Sequence, residues 1–227
     1  MSKSGKRYTA ARSKIEPGKR YNIKEAVELL KQMPATKFDQ SVEIHFKLGV
    51  DTKQANQQVR GFTTLPHGLG KLKKVAVFCE EANEKEAKAA GATIVGGDEL
   101  IKIIATTGKC DFDVAVATPG MMKKMAPIAK ILGQKGLMPN PKTETITPDV
   151  GKVVQALNSG KISFKVDESG NVHQMIGKMS FDAIKLQENA ENLLQAIRKA
   201  KPTGVKGTYL KNAVLTCSMG PAIPLVI

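Results

Sequence analysis

Hydrophobic and polar positions change period several times along this chain, and each change marks an element. Over residues 41–50 the alternation is strict: Val42, Ile44, Phe46, Leu48 and Val50 share one face while Glu43, His45 and Lys47 share the other. That pattern predicts a half-buried strand. Upstream, Asn22 precedes Glu25 at capping-box spacing, and Ala26, Val27, Leu29 and Leu30 form an apolar stripe that stops before Pro34, so a helix is expected over 23–32. From residue 75 the pattern differs. Val75-Ala76-Val77-Phe78 is apolar throughout, and helical stretches at 83–90 and 98–106 alternate with short apolar strands at 93–95 and 113–117. This is the pattern of a parallel sheet covered on both faces. A helix over 121–132, a loop over 136–142 and a helix over 150–157 complete the stretch. After residue 161 the two-residue period returns: Ile162, Phe164 and Val166 point one way, Ser163, Lys165 and Asp167 the other. A turn at 168–171 and a returning strand over 172–178 predict a hairpin. Leu186, Ala190, Leu193, Leu194 and Ile197 then define one face of a long helix over 181–200, and a last strand covers 209–219.

A single N-terminal strand offers no sheet on which its helix can pack, whereas the C-terminal stretch supplies three strands and a helix. The two chain ends are therefore expected to form one discontinuous domain, residues 1–67 with 160–227. The expected fold class is mixed, α/β and α+β: an outer antiparallel sheet with two helices, carrying an inserted Rossmann-like three-layer α/β domain over 68–159. The crossings, with Pro66, His67 and Gly68 on one side and Ser159 and Gly160 on the other, are the expected hinge.

Charge separates the two domains. The chain has 35 Lys and Arg against 21 Asp and Glu, a net +14; the outer domain holds 22 and 11 of these, the insert 13 and 10. A surplus of +11 on one domain points to a polyanion, because neutralising phosphates releases condensed counterions. Residues 1–20 contain seven basic side chains and one acid, Glu16, which reads as an arm that orders only on a partner. No run of 18 apolar residues suggests a membrane span, and the polar N-terminus lacks a secretory core, so a cytoplasmic location is expected.

Enzymatic chemistry is poorly supported. Gly68-Leu69-Gly70-Lys71 is not a phosphate loop, since Leu stands at both 65 and 72 where Gly and Ser or Thr are needed. The first turn of the insert, Cys79-Glu80-Glu81-Ala82-Asn83, has two acids and no glycine for a pyrophosphate. Cys79, Cys110 and Cys217 form no Cys-x-x-Cys pair, and His45, His67 and His173 have no helical metal-ligand spacing, so neither a metal nor a cofactor is expected. A nucleotide-dependent enzyme and a DNA-binding repressor are the rival classes. With seven Phe, three Tyr and no Trp, recognition of folded RNA by shape, phosphate and 2′-hydroxyl fits better than base stacking. Periodicity leaves Phe38 open between core and surface. It leaves Ser218-Met219-Gly220 open between a plain turn and a contact surface.

Four motifs then stand out together: Gln57-Gln58-Val59-Arg60-Gly61 followed by Leu65-Pro66-His67-Gly68; Gly136-Leu137-Met138-Pro139-Asn140-Pro141-Lys142; Ile176-Gly177-Lys178; and Ser218-Met219-Gly220. Along nearly its whole length the chain resembles the ribosomal protein L-one family of the large subunit, in its bacterial or organellar form, which belongs to the mobile side stalk. The resemblance implies a structural constituent of the large subunit rather than an enzyme. It implies that the outer domain grips stalk helices of large-subunit rRNA through Lys37, Phe38, Arg60, Lys165, Asp167, Lys178, Ser218, Met219 and Gly220, with Phe38 and the 218–220 turn at the centre. It further implies contact with other components of the large ribosomal subunit, help in releasing deacylated tRNA from the exit site, repression of the protein's own mRNA, and a monomer outside the ribosome. Two positions depart from the family pattern: Ser218 replaces the usual Thr but keeps the hydroxyl, and Phe62 replaces a smaller residue.

Overall fold

The computed structural model describes residues 5–70 and 73–227. Residues 1–4 of the basic arm, and Lys71 and Leu72 of the glycine loop, lie outside the described residues. The chain opens with helices α1 (Lys6–Arg12) and α2 (Ile23–Lys31) and strands β1 (Ser41–Leu48) and β2 (Arg60–Thr64). The central stretch contains β3 (Val75–Phe78), α3 (Glu81–Ala89), β4 (Ile94–Gly96), α4 (Asp98–Thr107), β5 (Val114–Ala117), α5 (Pro119–Lys124), α6 (Ala129–Gln134) and α7 (Val150–Asn158). The last part supplies β6 (Lys161–Lys165), β7 (Asn171–Lys178), α8 (Ala183–Lys199), β8 (Leu210–Cys217) and β9 (Ile223–Pro224).

Two compact units result, one from residues up to 70 with 162–227, the other from 71–161. The divides therefore fall at 70/71 and 161/162, slightly beyond the expected 67/68 and 159/160. Side chains decide this. A Cβ on Gly70 would lie 2.7 Å from the Phe181 ring, so Gly70 is packed into the outer unit. Lys161 instead pairs its ammonium with Glu144 and accepts a hydrogen bond from Lys73 Nζ on its carbonyl, within the insert.

The outer unit is built on β1, the second strand of an antiparallel sheet ordered β7-β1-β8-β9. Val42, Ile44, Phe46 and Leu48 are buried on one face against Val172, Ile176, Leu215 and the apolar stripes of α2 and α8. The opposite face, with Glu43, His45 and Lys47, has no buried β1 residue. The predicted hairpin does not form: β7 pairs with β1, whereas β6 joins β2 in a separate two-stranded sheet. Asp167 and Asn171 close the turn, the Asp167 carboxylate accepting from the Asn171 N–H at 2.6 Å, but before the turn the Val166 N–H is already committed to the Val59 carbonyl at 2.9 Å. Among the described residues the basic arm has structure, with a short helix, α1, and Tyr21 bridging to Leu225.

In the insert, three parallel strands are ordered β4-β3-β5. Ala76, Phe78, Ala115 and Ala117 bury one face under α4, α5 and α6; Val75, Val77 and Val116 bury the other under α3 and α7. This is the expected three-layer α/β arrangement. The helix expected over 121–132 is broken into α5, a 3₁₀ turn (Ala126–Ile128) and α6. Pro127 lies in that turn, and a proline has no N–H for the ladder and clashes with the preceding turn.

Asn189 of α8 has no exposed surface. Its Oδ1 accepts the His67 N–H at 3.2 Å, and its Nδ2 donates to the Gly68 carbonyl at 3.1 Å and the Ile176 carbonyl at 2.8 Å. One amide thus ties the segment after β2 to β7. Asn189→Leu keeps the volume but strands these backbone groups, which predicts a loss of about 1–3 kcal/mol. Urea unfolding would show this as a lower midpoint at constant slope, and an unmoved midpoint would mean the bonds contribute nothing.

Candidate nucleic-acid interface

Three distant segments meet where β1 begins. Ser218 N–H donates to the Ser41 carbonyl and Ser41 N–H donates to Ser218 Oγ, both at 3.1 Å. Gln40, only 4% exposed, lends its Oε1 to the Met219 N–H at 3.0 Å and its carbonyl to the Met179 N–H at 2.9 Å. Arg7 of α1 donates to the Met219 carbonyl at 3.3 Å. Asp39 accepts from both the N–H and the hydroxyl of Ser180, and Lys178 Nζ reaches Ser41 Oγ at 3.1 Å. The 218–220 turn is therefore held by internal hydrogen bonds, while the Met219 side chain is 52% exposed and Phe38, on the 36–41 segment, is 55% exposed. Phe38 belongs to the surface, which resolves the question left open by periodicity.

Gly220 is required by space. A Cβ there would meet Cys217 Sγ at 2.4 Å and Met33 Sδ at 3.3 Å. Burial, first of all, pushes the Cys217 thiol above its ordinary pKa, so the sulfur beneath the turn is a packed thiol. Gly177 of the Ile176-Gly177-Lys178 motif is also sterically fixed, since a Cβ would meet Leu186 Cδ2 at 2.8 Å. Gly61 serves the same purpose against Phe164, at 2.8 Å. Phe62, beside it in β2, is 39% exposed.

Lys37, Phe38, Lys178, Ser218, Met219 and Gly220 thus lie on segments that meet at one end of the sheet. Arg60, Lys165 and Asp167 gather elsewhere on the same unit, around a groove also lined by Lys53 and Gln58. β1 separates the two groups: Ser41 faces Lys178 at one end and Lys47 faces Asn171 at the other, roughly 20 Å apart along a strand of this length. Arg60 donates to Gln58 Oε1 at 2.8 Å. Partial burial opposes ionisation of Asp167, but hydrogen bonds from Asn171, His173 and the Ser169 backbone outweigh it and hold its carboxyl below the ordinary carboxylate value. Arg7, Asp39, Gln40 and Ser180 were not foreseen, because their roles arise only from long-range apposition.

At the expected hinge, Pro66 is exposed, while His67 and Gly68 are held by Asn189, and His67 Nε2 also contacts Glu188. Ser159 and Gly160 close the C-terminus of α7, Gly160 with φ +105°. The Gly136-to-Lys142 motif belongs to the insert: the Asn140 carbonyl accepts from Thr143 and Thr145, and Leu137 and Met138 pack on the core.

The crevice beyond the β3 and β4 strand ends, where such sheets commonly bind ligands, is lined by Glu80, Glu84, Asp98 and Glu99. Its lysines are engaged, Lys88 with Glu84 at 3.1 Å and Lys124 with Asp98 at 2.9 Å. A Cβ on Gly120 would lie 3.0 Å from Glu80 Oε1, so a carboxylate occupies the approach to α5. A phosphate would be repelled. Burial also pushes the Cys79 thiol up, away from a nucleophilic thiolate.

Fold and surface together define a two-unit protein with a split antiparallel unit that carries most of the positive charge and a parallel-sheet insert with an acidic crevice. The sequence model of the "Ribosomal protein L1p/L10e family" matches residues 29–221. The "Large ribosomal subunit protein uL1" of Kosmotoga olearia is 49% identical over 225 residues, covering 99% of this chain and 97% of that relative. The chain belongs to the ribosomal protein L1p/L10e family, a family of ribosomal proteins, as its motifs suggested.

The packing beneath the turn can be tested by a double-mutant cycle. Gly220→Ala should destabilise by about 1–3 kcal/mol through overpacking. Adding Cys217→Ala removes the sulfur in the way, so the double variant should be more stable than the sum of the single effects. Strict additivity in urea unfolding would refute the steric account.

Proposed function

We propose that this protein is a structural constituent of the large ribosomal subunit whose outer unit binds the stalk region of large-subunit rRNA. One observation carries the reading: two large apolar side chains, Phe38 and Met219, stand more than half exposed on a hydrogen-bonded frame amid Lys37, Lys178 and Arg7. A folded monomer gains nothing by exposing them beside cations, whereas a folded RNA offers sugar and base edges to the first and phosphates to the second. Arg60, Lys165 and Asp167 extend the contact along the same unit, and the outer unit's charge surplus supplies long-range attraction.

The same surface would recognise a segment of the protein's own mRNA folded to the same shape, which makes translational repression a competition between two RNAs. The crossings near 66–70 and 159–161 serve as a hinge, letting the insert meet deacylated tRNA as it leaves the exit site. The protein works in the cytoplasm, on the ribosome, alongside other components of the large subunit, and is monomeric when free. It acts without catalysis and needs no cofactor. Among the described residues no helix is long and apolar enough to cross a membrane.

Binding to a structured stalk-rRNA fragment, compared with duplex DNA at one salt concentration, tests the reading: RNA should be preferred, and equal affinity would overturn it. Met219→Ala or Phe38→Ala should each weaken RNA binding by about 1–3 kcal/mol, the scale of a specific contact. Lys37→Gln and Lys165→Gln should instead each lower the slope of log affinity against log salt by about 1. Unchanged affinity in both apolar variants would remove the turn from the interface.

A further inference from the structure

The chain has three histidines, and the antiparallel register sets two of them face to face. His45 of β1 lies directly opposite His173 of β7 on the open side of the sheet. Their Nδ1 atoms are 2.9 Å apart, with the rings edge-on at a centroid distance of 4.9 Å. Each outer nitrogen has a carboxylate nearby: Asp167 Oδ2 is 3.4 Å from His173 Nε2, and Glu43 Oε2 is 3.9 Å from His45 Nε2. Solvent reaches both side chains, which are 25% and 55% exposed.

Asp167, within hydrogen-bond reach of His173 Nε2, favours a proton on that nitrogen and so turns the His173 Nδ1 lone pair toward His45. With one Nδ1 protonated, the two rings share a hydrogen bond at 2.9 Å. A divalent cation can take the place of that bridging proton without moving either ring. Metal–imidazole bonds of about 2.0–2.1 Å at a right angle put two nitrogens about 2.9 Å apart, while a tetrahedral angle would need about 3.3 Å. The spacing set by the hydrogen bond therefore also accommodates the right-angle case, the geometry copper(II) and nickel(II) favour.

We propose that His45 and His173 form a two-histidine site for a divalent transition metal of square-planar or octahedral preference, with Asp167 as the carboxylate that orients the His173 ring. No group of three or more ligating side chains occurs among the described residues, so water fills the remaining positions. Such a site is open and exchangeable. Asp167 is common to this site and the RNA reading, but the ligating pair is not, and metal binding is measured without RNA.

The test uses the full chain without an affinity tag, titrated with copper(II) by calorimetry and followed by electron paramagnetic resonance. One ion per chain with a tetragonal, two-nitrogen spectrum is expected, lost in His173→Asn and in His45→Asn and retained in His67→Asn. Asp167→Asn should weaken binding by about 10–100-fold, and acidification should expel the ion as both imidazoles charge. His173, the more exposed of the pair, gives the variant least able to disturb folding, and its unfolding midpoint serves as control. Absence of saturable one-to-one binding, or binding that survives both single variants, overturns the site.

Discussion

Strand β1 has both edges hydrogen-bonded, to β7 on one side and to β8 on the other, and both partners come from the far end of the chain. His45 and His173, which face each other, are 128 residues apart. Pairing at that range is entropically expensive, because an open loop of such length must be closed before any contact rewards it. The insert reduces that cost through its own fold. Lys73 Nζ bonds the Lys161 carbonyl at 3.0 Å, so a folded insert already holds its two ends together and presents β1 and β7 with a short effective connection. Closing that loop is cheaper once the insert is folded, and the insert has a core of its own, with buried residues on both faces of its sheet.

The candidate surface follows from the same register. Because Ser41 faces Lys178 and Val42 faces Cys217, the start of β1 brings the 36–41 segment against the ends of β7 and β8. Small sequence choices then fix the details. Gln40 has enough reach to satisfy the Met219 N–H from below, and glycines at 177 and 220 remove atoms that would collide with Leu186 and Cys217. These glycines are demanded by packing rather than by left-handed backbone angles, since neither has a positive φ.

Local pattern carried much of the fold and less of the site. Strict alternation over β1, the stripe of α8 and the apolar runs of β3 and β5 were legible because each face has a single environment. Partner choice was not legible. A turn at 168–171 between two alternating strands reads as a hairpin, yet β6 joins β2, since alternation specifies which face is buried but not which edge is paired. The helix expected over 121–132 took no account of Pro127, which ends the α-helical ladder within it. The helix in the basic arm was masked by a composition that reads as disordered. Resemblance named Ser218, Met219 and Phe38, and could not name Gln40 or Arg7, whose contributions exist only once residues 179 to 212 positions away arrive beside them.

Internal satisfaction of the 218–220 turn limits how it can recognise anything. The Met219 N–H is used by Gln40, its carbonyl accepts from Arg7, and the Ser218 N–H and hydroxyl are engaged with Ser41. The backbone donors of Ser218, Met219 and Gly220 are thus spent, so a partner would be met mainly by side-chain surface. A surface of that kind is pre-organised: binding orders a few rotors, and little is lost in arranging the loop. The unbranched Met219 still adjusts to an uneven partner, and the neighbouring lysines keep their hydration and act through charge. Shape would then be read by a rigid frame carrying soft side chains, with affinity tuned by salt, a combination suited to a partner whose own structure is already folded.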